Sequence, residues 1–325
     1  MLRREFLRCA SLGASSLLLP HATSKLWAGP SNDDPLFRFV HLTDIHVQPE
    51  REASLGMAKC LRAVEQLDPR PDFILSGGDL VYDVSSQQIP RANMLFDLYK
   101  SVLKDNTDLP VYQCLGNHDI LDWSSEENET KSRLAAKELY LQKLEQDRTY
   151  YAFDHKGWRF YVLDSIQPAP GRPFSYMGGI DEPQLEWLRR DLAAKPAERP
   201  AAVVSHIPIL TVTALAKRPK RLSDDFYMTG GPSMYRNGVD MNLLLSKHNV
   251  KLALSGHIHE LDRVDRGGVS FICDGAVCGG WWYGPNVDSG YEVQEGFGIV
   301  DIHADGRFEH RYHDYGWEAK VKTKE

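Results

Sequence analysis

Seven side chains with a strong affinity for metal ions stand in five short motifs between residues 44 and 259: Asp44-Ile45-His46, Gly78-Asp79, Gly116-Asn117-His118-Asp119, Ser205-His206 and Gly256-His257-Ile258-His259. The seven are Asp44, His46, Asp79, Asn117, His206, His257 and His259. Mixed imidazole and carboxylate donors suit manganese, iron, zinc or cobalt better than magnesium or calcium, which prefer all-oxygen surroundings. Such a set can complete two coordination spheres around a shared carboxylate, and two cations held that way activate water for hydrolysis. A lone Asp-x-His or Gly-His-x-His says little, because single histidines are more often satisfied surface or core groups. Five motifs, each placed where a hydrophobic run gives way to a turn, say much more.

Each motif needs an element to aim it. Residues 37 to 43 form a β-favouring run that ends at Asp44, and Met57, Leu61, Val64 and Leu67 then show helical spacing. The unit repeats: Asp72 to Ser76 reads as a strand leading to Asp79, residues 91 to 103 as a helix, and Val111 to Leu115 as a strand leading to Asn117. Tyr150 to Asp154 and Trp158 to Asp164 flank a hairpin turn at His155-Lys156-Gly157, and a helix follows over about residues 181 to 194. Ala201 to Ser205 and Lys251 to Ser255 lead into His206 and His257, and hairpins are expected around Gly267-Gly268 and Ala304-Asp305-Gly306. This alternation predicts an α/β fold with two mixed β-sheets packed face to face and helices on the outer faces, a four-layer α-β-β-α sandwich. The site should lie beyond the carboxyl ends of the strands.

The order of the motifs resembles the calcineurin-like metallophosphoesterases. It is most similar to the bacterial branch that contains class III cyclic nucleotide phosphodiesterases and related exported phosphatases, over about residues 37 to 313. The resemblance implies that Asp44, His46 and His259 serve one metal, that Asn117, His206 and His257 serve a second, and that Asp79 bridges them. The metals would be iron, manganese or zinc, divalent or trivalent, and a hydroxide between them would attack a small phosphorylated substrate, a monoester or a diester. His118 would either stabilise the transferring group or protonate the leaving oxygen. Asp119 would orient it, or else meet a backbone donor of its own turn. One departure concerns Tyr82, which stands where purple acid phosphatases supply a tyrosinate to ferric iron; here His46 should already fill that coordination position, leaving Tyr82 behind the ligands or in the pocket wall. A purple-acid-phosphatase-like iron enzyme and a non-catalytic binding module on the same scaffold remain the alternatives.

Three long connections are placed to wall the pocket: Ser124 to Gln146, Pro208 to Asn237 with Lys217, Arg218, Lys220 and Arg221, and Gly279 to Glu292 with Trp281, Trp282 and Tyr283. The aromatic run either stacks on a base or sugar or packs a loop over the core, and the basic cluster either attracts an anion or is a solvated face. His41, His155, His248, His303, His310 and His313 have no comparable setting and read as structural.

At 325 residues, 42% hydrophobic and 26% charged, the chain can bury a large core, expected as one domain over residues 37–325 after a lead-in at 29–36. Residues 1–28 resemble a twin-arginine signal, with Arg3-Arg4-Glu5-Phe6-Leu7-Arg8 before a weakly apolar stretch and cleavage after Ala22 or Ala28. That implies passage through the twin-arginine export machinery to the periplasm or beyond. Its removal takes away four basic residues and one acidic residue, so the net charge moves from −7 to −10, which argues against a broad nucleic-acid surface. No run reaches the roughly 20 apolar residues of a membrane-spanning helix. Of the remaining cysteines, Cys60, Cys114, Cys273 and Cys278, the last two are the expected pair if an oxidising compartment forms a disulfide.

Overall fold

All six residues of the strand Phe37–Leu42 are buried, including the polar Arg38 and His41. They are tolerated because each is paired: the Arg38 guanidinium donates to both oxygens of Asp301 at 2.6 and 2.8 Å, and His41 Nδ1 lies 2.7 Å from Asp274 Oδ2. A strand covered on both faces belongs in the middle of a sandwich. The protein is described here by a computed structural model covering residues 34–121, 135–169, 176–216, 220–221, 227–228, 233–288 and 290–320. The expected signal, Lys217, Arg218 and residues 124–134 of the first long connection lie outside these residues.

The first sheet runs in the order Phe308–Asp314, Gly296–Ile302, Phe37–Leu42, Phe73–Ser76, Val111–Gln113. Its last three strands are parallel and its first two antiparallel. The second sheet runs Asp262–Arg266, Val269–Cys273, Val250–Ser255, Ala201–Ser205, Trp158–Leu163, Tyr151–His155, with parallel pairing among its four central strands and antiparallel pairing at both edges. Both sheets are therefore mixed, as the alternating pattern predicts.

The period-two alternation of the strands divides the core into layers. Phe39, Phe73 and Leu75 of the first sheet share one cluster with Phe160, Val162, Ala202, Val204 and Leu252 of the second. The rings interlock, with Phe39 stacked on Phe73 at 5.1 Å and edge-on to Phe160 at 5.4 Å. Val40, Leu42 and Ile74 on the opposite faces join the buried sides of the helices Ala53–Glu65 and Ile89–Asn106, while Tyr161, Val203 and Ala253 join those of Glu182–Ala194 and Gly238–Lys247. The helices begin where local chemistry allows: Asp181 caps the third of them by accepting the Gln184 N–H at 2.9 Å, with Pro183 in its first turn.

The expected hairpins form, with Lys156 and Gly157 at φ 39° and 87° and Gly267 and Gly268 at φ 63° and 81°, the double left-handed geometry of tight two-residue turns. The expected cysteine pair does not. Cys273 and Cys278 are both free and buried, the first with Sγ 3.1 Å from Gly256 O and the second with Sγ 3.6 Å from Gly279 O. No helix among the described residues is long and apolar enough to cross a membrane.

Candidate metal centre

The strands ending at Leu42, Ser76, Gln113, Ser205 and Ser255 deliver the five motifs to one edge of the sandwich, beyond the carboxyl ends of neighbouring parallel strands. The chain must turn sharply there to aim side chains back over the sheet. Asp44, His46, Asp79, His257 and His259 all have left-handed φ, between 46° and 71°. Such backbone costs about 1–3 kcal/mol per non-glycine residue and persists only where surrounding bonds over-determine it. Those bonds are present: the N–H groups of Asp44, Ile45 and His46 donate to the carbonyls of Gly78 and Asp79, and the His257 N–H donates to the Asp44 carboxylate at 2.9 Å. Two motif glycines are needed for close approach, since a Cβ on Gly116 would overlap Asp79 and one on Gly256 would overlap Thr43 and Asp44.

The side chains converge. Asp44, His46 and Asp79 form one cluster of donor atoms within 4.8 Å of one another, and Asp79, His206 and His257 form another. Asp79 Oδ2 lies between them, 3.5 Å from His46 Nε2 and 3.1 Å from His206 Nε2. His259 Nε2 is 3.2 Å from Asp44 Oδ1, and Asn117 Oδ1 is 3.0 Å from His206 Nε2. All seven side chains proposed from sequence as ligands thus meet in one place. Cys278, held on a distant turn, joins His46 and His259 in a third cluster that the sequence pattern did not suggest.

The imidazoles are set up as ligands. Nδ1 of His46, His206 and His259 faces the carbonyl oxygens of Tyr82, Gly77 and Gly279 at 3.0, 2.9 and 2.8 Å. A carbonyl only accepts, so Nδ1 carries the hydrogen and Nε2 is left for a cation, the usual arrangement behind metal-bound histidine. His46 Nε2 is buried with no hydrogen-bond partner. A buried orphan nitrogen aimed at two carboxylates fits a metal and is costly without one. Burial presses His46 and His257 down to about 3, so both are neutral and need lose no proton. Burial also opposes charge on His206, but Asp79 outweighs it and lifts the ring to about 9; Asp44 raises His259 in the same way. Protons therefore stand where cations would, and metal uptake expels them.

His118 opens toward solvent, with 26% of its side chain exposed beside the buried ligands. Of the two expectations for Asp119, the backbone one is met. Asp119 does not orient His118: its oxygens accept the backbone N–H groups of Leu80, Val81 and Gly116 at 2.8, 3.2 and 2.9 Å. The carboxylate beside the ring is Asp83, with Oδ1 3.3 Å from His118 Nδ1. Burial disfavours charge on His118, yet Asp79 and Asp83 outweigh it and raise its pKa. Tyr82 gives its backbone oxygen to His46, and its ring packs edge-on to Trp281 at 5.7 Å. Among the histidines read as structural, His41 and His310 grip opposite oxygens of Asp274 and His155 meets Asp72 at 2.6 Å.

The sequence profile of the calcineurin-like phosphoesterases matches residues 37–261. A 3′,5′-cyclic adenosine monophosphate phosphodiesterase of Haemophilus influenzae is 26% identical, covering 84% of this chain and 88% of its own. A probable glycerophosphodiester phosphodiesterase of Arcobacter nitrofigilis is 22% identical, covering 68% and 71%. Among solved structures, GAP50, the anchor in the inner membrane complex of Plasmodium, superposes with a TM-score of 0.55 at 19% identity, covering 89% of this chain and 90% of that one, a likeness of fold.

Proposed function

Since the chain belongs to the calcineurin-like phosphoesterase family, we propose that this metallophosphoesterase hydrolyses phosphodiesters at a dinuclear centre. Asp44, His46 and His259 would hold one metal, Asn117, His206 and His257 the other, with Asp79 shared. The observation that carries the proposal is the place of Asp79 Oδ2, within 3.5 Å of His46 Nε2 and 3.1 Å of His206 Nε2, where one carboxylate oxygen can serve both sides. Relatives named as cyclic nucleotide and glycerophosphodiester phosphodiesterases support the diester. Two cations held there supply positive charge to the phosphoryl oxygens and acidify water.

The protein's own groups do the rest. The buried carboxylates Asp44 and Asp79 fix where positive charge can sit, and the carbonyl-anchored imidazoles keep their free nitrogens turned inward. The His118 N–H donates to Asp79 Oδ1 at 2.8 Å, which ties the backbone of this partly exposed imidazole to the shared carboxylate. With Asp83 behind Nδ1, His118 can deliver a proton from Nε2 to the leaving oxygen.

His118→Ala should keep its metals and lose about 10²- to 10⁴-fold in turnover of an alkyl diester, whose leaving alkoxide needs the proton most. For bis-p-nitrophenyl phosphate, whose leaving group is already a weak base, the loss should be smaller. Metal analysis alongside steady-state kinetics on both esters reads this out, and undiminished turnover of the alkyl ester would remove His118 from the mechanism.

A further inference from the structure

The proposed reaction uses the turn from Ala276 to Gly284 only through the Gly279 carbonyl that anchors His259, although the turn is bolted to the first metal-binding motif. The N–H groups of Val277 and Cys278 donate to the carbonyls of Thr43 and Asp44 at 3.0 and 3.2 Å, and Trp282 Nε1 donates to the carbonyls of Ile45 and His46 at 3.0 Å each. Trp282 is fully buried, edge-on to Trp317 at 5.8 Å, in space kept open because residue 56 is glycine. Packing explains Trp282. It does not explain Trp281, its half-exposed neighbour.

Trp281 and Trp282 both have left-handed φ, 62° and 66°, a conformation bulky residues rarely adopt and one that points to a functional constraint. The result is an indole laid against the metal-binding imidazoles: its centroid is 4.1 Å from that of His46, 5.1 Å from His118 and 5.4 Å from His259. Tyr82 braces its edge, and Arg51 Nη1 donates to the Trp281 carbonyl at 3.1 Å. The Arg51 guanidinium is itself sandwiched, 4.1 Å from the Tyr283 ring and 5.1 Å from the Tyr82 ring, on a backbone with φ 57°. A half-exposed indole is thus held beside His118 and the histidine ligands, where a substituent of a phosphoryl group bound at that centre would meet it.

We propose that Trp281, braced by Tyr82 and Arg51, is a stacking platform for a flat aromatic ester group, an aryl ring or a nucleobase, and that it makes the enzyme select aromatic over alkyl esters. This rests on the phosphodiesterase reading, because the phosphoryl group must sit at the metals for its substituent to reach the indole. Stacking of one ring on such a surface corresponds to roughly 5- to 100-fold in affinity.

Calorimetric binding of phenylphosphonate and methylphosphonate to the metal-loaded full chain separates the two ideas without turnover. The wild type should bind phenylphosphonate at least about fivefold more tightly. Trp281→Ala should abolish that preference while leaving methylphosphonate affinity and metal content unchanged, and Trp281→Phe should restore part of it. Equal affinity of the wild type for the two probes, or a preference that survives in Trp281→Ala, would overturn the platform; the wild-type comparison decides even if the alanine variant does not fold. Binding of neither phosphonate would count instead against the phosphoester reading.

Discussion

Replacing Asp79 with alanine is expected to empty both metal sites together and to lower turnover by more than about a hundredfold, beyond the 10- to 100-fold typical of changes to residues that merely support a ligand. Its Oδ2 is close to imidazoles of both clusters, 3.5 Å from His46 Nε2 and 3.1 Å from His206 Nε2, and its Oδ1 accepts the His118 N–H at 2.8 Å. Without it, His206 loses the carboxylate that raises its pKa, and the two halves of the centre share no anion. Replacing Asn117, which reaches only His206, should weaken one site and spare the other. Elemental analysis of metal per chain, paired with kcat/KM, distinguishes these outcomes. An Asp79→Ala protein that still carries two ions would show that Asp79 is not shared.

The second large effect falls on stability. Asp119 is fully buried and accepts three backbone N–H groups from two loops, those after Ser76 and after Gln113. Asp119→Ala strands all three donors at about 1–3 kcal/mol each, so the domain should lose at least about 3 kcal/mol. Asp83→Ala, at a side chain 21% exposed, should cost about 1 kcal/mol or less and act on turnover through His118. Urea unfolding of both variants tests the division; equal stability losses would contradict it. A pH dependence follows as well. Burial, followed by the charge on Asp79, pushes the Asp119 carboxyl up to about 7. At this carboxyl the folded metal-free protein therefore holds more proton than the unfolded chain between roughly pH 4 and 7, so the contribution of Asp119 to stability falls as pH rises through that window. Cations beside Asp79 should relieve the fall.

The ligand set was legible because each member follows a strand by one to four positions, and strand ends of neighbouring parallel strands must gather at one edge. What lay beyond the sequence pattern depends on single dihedral angles. The choice between Asp83 and Asp119 as partner of His118 is made by how the loops after Ser76 and Gln113 fold onto each other, and it goes against sequence proximity, since Asp119 adjoins His118 and Asp83 follows Asp79 by four residues. Adjacent tryptophans with similar left-handed backbone part ways, one into the core and one over the metals, because Gly56 leaves a slot for only the second. Cys278 reaches the centre through backbone bonds to Thr43 and Asp44 formed by a turn far along the chain. Alternation of apolar residues carried the sheets; tertiary hydrogen bonds decided the details of the site.

The central claim, a shared-carboxylate centre for two ions that hydrolyses phosphate diesters, is tested most directly by stripping the protein of metal, reloading it stepwise with manganese, zinc or iron, and following ions bound per chain against turnover of bis-p-nitrophenyl phosphate and p-nitrophenyl phosphate. The account predicts no turnover without metal, a rise that tracks the second ion bound, and preference for the diester. Full turnover with one ion per chain, or any turnover by metal-free protein, would contradict it.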